Sequence, residues 1–334
     1  MSHRHAAARL LGGLITLGSV LGAGAVLVSF AGGELHPFDS VGHFRLHIAV
    51  ALVLIGLGAL FFRRWIGAGV ATVGAVVGLA TTLPFVLPQP SAEAAGASYT
   101  LLQMNLRYDA PEQDPAVQLV AELRPDVVTL DEVTESWRAR FEALESAYPY
   151  QHYCGTYGKG GTAVLSRRPF ATDPETSVCR IEDGFAARGV DFNGRVVTIA
   201  ALHLDWPWPR HHWGQVRRLE PILPKLPKPA ILAGDFNAAP WSAAVGTVAA
   251  DGGWRVVKGI GPSFMLADLR RIPAHVFGLP IDNVLASADV RVLEAETLAP
   301  TGSDHLPVLV RFSVEAGPSA APDAPSVAAR VNAN

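Results

Sequence analysis

Ile231-Leu232-Ala233-Gly234-Asp235-Phe236-Asn237 carries the reading of this chain. A short apolar run delivers a carboxylate and then an amide two positions on, and side chains at that spacing in a strand point to one face. Asp235 and Asn237 are therefore expected to project together where the strand gives way to Ala238-Ala239-Pro240. An aspartate there can take a proton or face a metal ion. An asparagine can donate to a phosphate oxygen or a water without adding charge. Taken alone, the pair also fits a simple Asx turn. The rest of the chain decides between the two.

The chain is made of two materials. Of its 334 residues, the first 98 hold only five basic and three acidic side chains, whereas residues 99–334 hold 22 basic and 27 acidic ones, a net of −5. The first part reads as membrane and the second as a soluble domain of ordinary size. The negative balance speaks against broad, nonspecific binding to nucleic acid, which uses a basic surface. A carboxylate-rich site that takes up a cation has the same sign.

Uncharged runs of 24, 17 and 28 residues lie between Arg9 and Glu34, Arg45 and Arg63, and Arg64 and Glu93. A spanning helix takes ~20 mostly apolar residues, so residues 1–90 are expected to hold three transmembrane helices, at about 10–33, 43–62 and 65–88. A cleaved signal peptide explains the first run poorly, because two more follow it. Glycines such as Gly18, Gly56 and Gly74 let membrane helices approach closely. Arg4 and Arg9 precede the first span, and Arg63 and Arg64 join the second to the third. Short basic loops stay in the cytoplasm. Three spans that start inside end outside, which places residues 99–334 in the periplasm or at the cell exterior. Pro84, Pro88 and Pro90 close the third span, and residues 91–98 read as a flexible linker.

Beyond the linker, strands and helices interleave, which predicts an α/β domain over 99–315. Strands are expected at 99–105, 126–130, 148–157, 161–166, 177–181, 195–202, 230–233, 281–286 and 306–312. Helices are expected at 114–123, 137–147, 215–223 and 241–250. Polar residues collect where strands meet loops: Asn105, Glu132, His203, Asp235, Asn237, Asp282, Asp304 and His305. Residues 316–334 are Ala, Pro, Ser and Asn in the main and read as a disordered tail.

From about Thr100 to Phe312 the ordered motifs resemble the endonuclease/exonuclease/phosphatase superfamily, which includes DNase I-like nucleases, abasic-site endonucleases, sphingomyelinases and inositol-polyphosphate phosphatases. The pieces are the strand-end Asn105; Pro125-Asp126-Val127-Val128 running to Glu132; Gly161 to Pro169 with its Leu-Ser-Arg; Leu202-His203-Leu204; Gly234-Asp235-Phe236-Asn237; Ile281-Asp282-Asn283-Val284; and Ser303-Asp304-His305-Leu306-Pro307. The anchored layout looks like that of bacterial members, which puts the chain in an inner membrane. The resemblance implies a four-layer α/β sandwich of two packed sheets flanked by helices. It also implies metal-dependent hydrolysis of a phosphoester. A phosphodiester is anionic and its leaving oxygen gains charge, and a hard divalent cation answers both problems.

By the family pattern, Glu132 ligates Mg²⁺ or Mn²⁺, and Asn105 and Asp304 help hold it. Asp235 orients or deprotonates the attacking water, and Asn237 bonds the phosphate. His305, held by Asp282, acts on the phosphate or as acid or base, and His203 is a candidate acid for the leaving group. The chain departs from the pattern in three places. Asp131 stands where the family has Gln before the metal Glu, Asn283 where it often has His, and Gly160-Gly161-Thr162 where a Tyr or Asn usually approaches the phosphate. Asp131 is expected either to bind a second cation or to shift metal affinity.

The expected partners are the bilayer and a phosphoester, either nucleic acid or a phospholipid head group. No protein partner is expected. A non-catalytic scaffold that keeps only the fold is the alternative. The Trp206 to Trp213 stretch, with three tryptophans, suits base stacking or a membrane interface. Cys154 and Cys179 are expected to pair, on strands flanking 161–166, because the domain lies outside the cytosol.

Overall fold

The computed structural model describes residues 2–94, 96–265 and 278–314. The tail over 316–334 lies outside the described residues.

The charge-poor segment folds as helices. α1 (Ser2–Val28), α3 (Arg45–Phe61) and α4 (Trp65–Val86) pack together, and a short helix, α2 (His36–His43), sits in the first connection. Small residues form the seams: a Cβ on Gly74 would lie 2.9 Å from Ala23 and Leu52, and one on Gly78 would lie 2.6 Å from Ala49. Large apolar side chains such as Leu14, Leu21, Leu54, Leu57 and Val76 face outward. Small inside and large apolar outside is the arrangement of helices solvated by lipid.

Two helical stretches, Ala7–Ala31 and Trp65–Val86, are long and apolar enough to cross a bilayer. The expected span at 43–62 departs from the sequence reading. α3 has 17 residues and meets α2 at a 63° bend, so the pair qualifies only as one broken span. Arg45 marks the bend. Its Nε donates to the Ser29 hydroxyl at 2.9 Å, and its guanidinium lies 4.1 Å over the Phe30 ring. Arg64 donates to the Arg9 carbonyl at 3.2 Å, which brings these two arginines together at the end of the bundle opposite Arg45. α2 and the end of α4 lie at the other.

The α/β domain follows. Its strands are β1 (Ser98–Asn105), β2 (Val127–Val133), β3 (Tyr150–Cys154), β4 (Gly161–Ser166), β5 (Ser177–Arg180) and β6 (Phe185–Asp191). The later ones are β7 (Val196–Leu202), β8 (Ala230–Asp235), β9 (Arg255–Val256), β10 (Asp282–Ala286), β11 (Val290–Thr297) and β12 (Val308–Val314). They form two six-stranded mixed sheets, ordered β11-β12-β1-β2-β4-β3 and β5-β6-β7-β8-β10-β9.

Alternation along each strand builds the layers. Leu101, Val127, Ile199, Ile231 and Val284 fill the space between the sheets. Their neighbours Leu102 and Val128 pack under α5 (Asp114–Leu123) and α6 (Glu135–Glu142). Leu232 and Leu285 pack under α7 (His212–Leu219) and α8 (Ala243–Gly252). The order is helix, sheet, sheet, helix, as the sandwich requires.

Three strands, β6, β9 and β11, went unread in the sequence, and three helices are shifted. α6 begins at Glu135 because Thr134 accepts from the Trp137 amide, and α8 begins at Ala243 because Ser242 accepts from the Val245 amide. Hydroxyl caps fix helix starts in this way. α7 lies over His212–Leu219 rather than 215–223. The cysteines do pair, with Cα atoms 5.4 Å apart, but not beside one strand. Cys154 lies on β3 and Cys179 on β5, edge strands of different sheets, so the bridge stitches the two sheets together.

The domain is seated on its own helices. The Asp39 carboxylate of α2 accepts from the backbone N–H groups of Ala243 and Ala244, the first residues of α8, at 2.8 and 3.2 Å. A helix start leaves such donors free for an acid. Trp241 Nε1 donates to the Gly42 carbonyl at 2.8 Å, and the Gly259 amide donates to the Phe85 carbonyl at 2.8 Å. The linker expected to be flexible is held as well: the Ala92 amide donates to the Leu293 carbonyl at 3.1 Å.

Candidate active site

β8 and β10 run antiparallel with Asp235 directly opposite Asp282. Both carboxylates fall on the inner face, in register with Ile231 and Val284, so they emerge where the space between the sheets ends. Gly234 makes this possible, because a Cβ there would strike the Leu202 carbonyl of the neighbouring strand. Asn237 then leaves the strand with φ of 47°, a left-handed conformation that Asn tolerates better than most residues. The turn brings its amide back toward Asp235. Its backbone N–H donates to Asp235 Oδ1 at 2.7 Å, and Nδ2 donates to the Leu204 carbonyl at 2.8 Å and to Asp235 Oδ2 at 3.3 Å.

β2 supplies two consecutive acids through a bulge. Its register against β4 passes from Leu130–Ala163 to Val133–Gly161, so β2 carries one residue more than its partner. Glu132, with φ of 59°, absorbs it. Bulges re-aim side chains in this way, and here Asp131 and Glu132 both reach the site instead of facing opposite ways. Glu132 Oε1 accepts from Asn105 Nδ2 at 3.2 Å, and Oε2 accepts from the Tyr108 amide at 2.8 Å. Gly160 crosses the bulge so closely that a Cβ would strike the Glu132 backbone. A larger side chain than glycine does not fit there.

The groups converge on one atom. Asp235 Oδ2 accepts from Asn105 Nδ2 at 3.0 Å, lies 3.6 Å from His305 Nε2 and lies 3.8 Å from His203 Nε2. His203 Nε2 is equally 3.8 Å from Glu132 Oε1. On its far side, His305 Nδ1 lies 2.8 Å from Asp282 Oδ2. Burial pushes the Asp235 carboxyl up to about 6, against the pull of His305. Burial also disfavours charge on His305, but Asp282 and Asp235 outweigh it and raise the imidazole to about 10. Burial raises Asp131 well above the usual carboxylate range.

Seven of the eight residues expected from the sequence thus stand together: Asn105, Glu132, His203, Asp235, Asn237, Asp282 and His305. Asp304 is half-buried at the rim, its Oδ1 3.4 Å from Ser303 Oγ. Arg107 donates through Nε to Asp109 Oδ1 at 2.7 Å, and that bond, with the charges of Asp109, Asp304 and Glu132, raises the basicity of its guanidinium. Arg107 is absent from the sequence reading, as are Gln103 and Ser263, and Ser303 entered it only as part of a motif. Gln103 spans the two sheets, its Nε2 donating to Asp131 Oδ2 at 3.2 Å and to Asp282 Oδ1 at 3.0 Å. Its place two residues before Asn105 on an alternating strand is the signal that could have found it. Ser303 Oγ donates to the Asn105 carbonyl at 2.8 Å, and Ser263 Oγ accepts from the Asp282 amide at 3.1 Å.

The departures have physical roles. Asp131 is fully buried, and its Oδ2 accepts from the Asp235 amide at 2.8 Å, so it sits beneath Asp235 and supports it. Asn283 donates to the Ala238 and Ile281 carbonyls at 2.8 and 3.0 Å, pinning the loop after β8.

The donor set fits a hard cation. Carboxylates of Asp131, Glu132, Asp235, Asp282 and Asp304 outnumber the nearby basic groups, and clustering acids in a half-buried cleft is costly without a countercharge. Asp131 Oδ1 and Gln103 Oε1 are buried without a partner among the described residues. Asp235, Asp282 and His305 present ligand atoms within 4.8 Å of one another.

Residues 102–305 match the model of the Endonuclease/Exonuclease/phosphatase family. No curated protein matches the chain. Among solved structures, D. rerio TDP2 complexed with a single-strand DNA product is similar at 18% identity and a TM-score of 0.53, over 66% of this chain and 100% of that one. An endonuclease/exonuclease/phosphatase from Beutenbergia cavernae is similar at 21% identity and a TM-score of 0.50, over 66% of this chain and 72% of that one. ANGEL2, a 2',3'-cyclic phosphatase, is similar at 15% identity and a TM-score of 0.51, over 67% and 98% of the two chains. At these identities the likeness is one of fold.

Proposed function

The chain belongs to the endonuclease/exonuclease/phosphatase family, and on that premise we propose that it is a membrane-anchored phosphoester hydrolase that uses Mg²⁺ or Mn²⁺ and works outside the cytoplasm of a bacterium. The observation that carries this reading is the clamped imidazole: His305 stands between Asp282 at 2.8 Å and the buried Asp235 at 3.6 Å.

Each residue has a task. Glu132, with Asn105 and Asp304, would hold the cation, which when bound would supply positive charge to stabilise the reacting phosphate. Asp235 takes the proton of the attacking water, and its raised affinity for protons suits a base near neutral pH. His305, kept charged by Asp282, donates to the phosphate. Asn237 holds Asp235 in place through its backbone N–H and its Nδ2. His203 gives a proton to the leaving oxygen. The outward orientation is supported by the disulfide, which belongs to oxidising compartments, and by the basic residues at the end of the bundle away from the domain.

The test is hydrolysis of a chromogenic phosphodiester by the purified full chain in detergent. Activity that requires Mg²⁺ or Mn²⁺, stops with EDTA and is lost in Asp235→Ala supports the reading. A metal-replete chain inert to this probe, to nucleic acid and to phospholipid supports the scaffold alternative instead.

A further inference from the structure

The cleft does not open onto free solvent alone. Beside it lies a cavity of about 330 Å³ whose walls come from both parts of the chain. Phe44, at the bend between α2 and α3, forms one wall. Trp206 and Trp208, from the loop after β7, form the other, and Asn237, Leu279 and Ile281 form the floor. This volume is at the low end of the ~300–1,000 Å³ of small-molecule sites.

Two further observations point to a ligand in it. Trp206 and Trp208 are 52% and 58% exposed, an unusual state for tryptophan in water but an ordinary one at a bilayer surface. Trp206 packs on Phe264 with ring centroids 5.8 Å apart, and Phe264 packs on His305 at 4.9 Å, so an aromatic row leads from the cavity to the clamped imidazole.

We propose that the substrate is a lipid phosphoester, entering from the bilayer with its phosphate at Asp235 and His305 and its adjoining hydrocarbon in this slot. The inference rests on the phosphoesterase reading and names its substrate class. One wall belongs to the membrane bundle, so a lipid reaches the slot without leaving the bilayer surface. Arg210, also on the lining, is placed for an anionic head group. Nucleic acid fits less well, since the domain is acidic overall. The reaction is simple hydrolysis. The water oxygen bonds to phosphorus, the phosphorus–oxygen bond to the leaving group breaks, Asp235 takes one proton and the departing alcohol receives one from His203.

The experiment compares two probes with the same reacting group, p-nitrophenyl hexadecyl phosphate and p-nitrophenyl methyl phosphate, using the full chain with Mg²⁺ in mixed micelles. The expected result is a kcat/KM at least about tenfold higher for the long-chain probe, because burying hydrocarbon in the slot is favourable. Trp206→Ala and, separately, Phe44→Ala are each expected to bring that ratio down toward one. They come from different parts of the chain, so misfolding of one leaves the other as the test. Equal activity on both probes, or a ratio that neither variant changes, overturns the lipid assignment while leaving the hydrolase intact. Preference for a single-stranded oligonucleotide over the long-chain probe overturns it in favour of nucleic acid. Inactivity on both probes, on phospholipid and on the oligonucleotide removes the hydrolase reading and this one with it.

Discussion

His305 Nδ1 lies 2.8 Å from Asp282 Oδ2, and Asp282 is paired in register with Asp235, so one strand pair sets both the imidazole and the carboxylate it faces. A carboxylate behind a histidine orients the ring and keeps it charged. Asp282→Asn is expected to lower kcat by roughly 10²–10³-fold and to move the alkaline limb of the pH–rate profile to lower pH. A kcat profile of the variant that overlays the parent's would reject the role.

The same contacts make stability depend on pH. His305 is raised from 6.5 to about 10 in the folded chain, so its contribution is fully present below pH 6.5 and is lost as pH rises through about 10. Asp235, raised from 3.8 to about 6, acts with the same sign at lower pH, contributing below 3.8 and losing that contribution through about 6. The Tm of the EDTA-treated chain should fall steadily from pH 6.5 to 10, and His305→Gln should flatten the curve. Thermal scans across that window decide it.

Divalent cation should stabilise the chain by linkage, by about 2.7 kcal/mol at a hundred times its dissociation constant. Glu132→Gln is expected to weaken this Mg²⁺-dependent rise in Tm. Asp235→Asn is expected to lose activity by about 10²–10⁴-fold yet to melt higher than the parent in EDTA at pH 8, since it removes a buried charge. A metal titration followed by Tm reads both effects.

The Cys154–Cys179 bridge closes a loop with a sequence separation of 25, which is worth roughly 3 kcal/mol by its effect on the unfolded chain. Because it joins edge strands of different sheets, replacing both cysteines with serine should bring earlier separation of β3 and β5. Hydrogen exchange should show protection lost first over those two strands.

Much of the site was legible because strand alternation alone places Asp235, Asp282 and Asn105 on an inner face. Glu132 was legible as a motif residue, but its position was not. Nothing in Val127-Val128-Thr129-Leu130-Asp131-Glu132-Val133 says where an extra residue enters, because the bulge is set by pairing with β4. β6, Phe185-Ala186-Ala187-Arg188-Gly189-Val190-Asp191, lacks the β-branched run that marks a strand, and its neighbours on both sides make it one. β11 is different: Val290 and Val292 alternate with Arg291, and that period was there to be read. The seating of α2 was beyond the sequence, since Asp39 caps a helix 204 residues further on, and no local pattern records a contact at that distance.

The joint between bundle and domain has little slack. Gln89 Nε2 folds back onto the Leu87 carbonyl at 2.9 Å, and Arg291 reaches the Glu93 carbonyl at 3.2 Å. A domain on a loose leash sweeps a hemisphere whose radius grows with the leash. This one is parked, with its cleft at a fixed height over the helical bundle. For any substrate delivered through the bilayer, the quantity that sets turnover is then crowding in two dimensions. Diluting the suspension at constant lipid composition leaves the rate per enzyme where it was, and thinning the substrate among inert lipids lowers it.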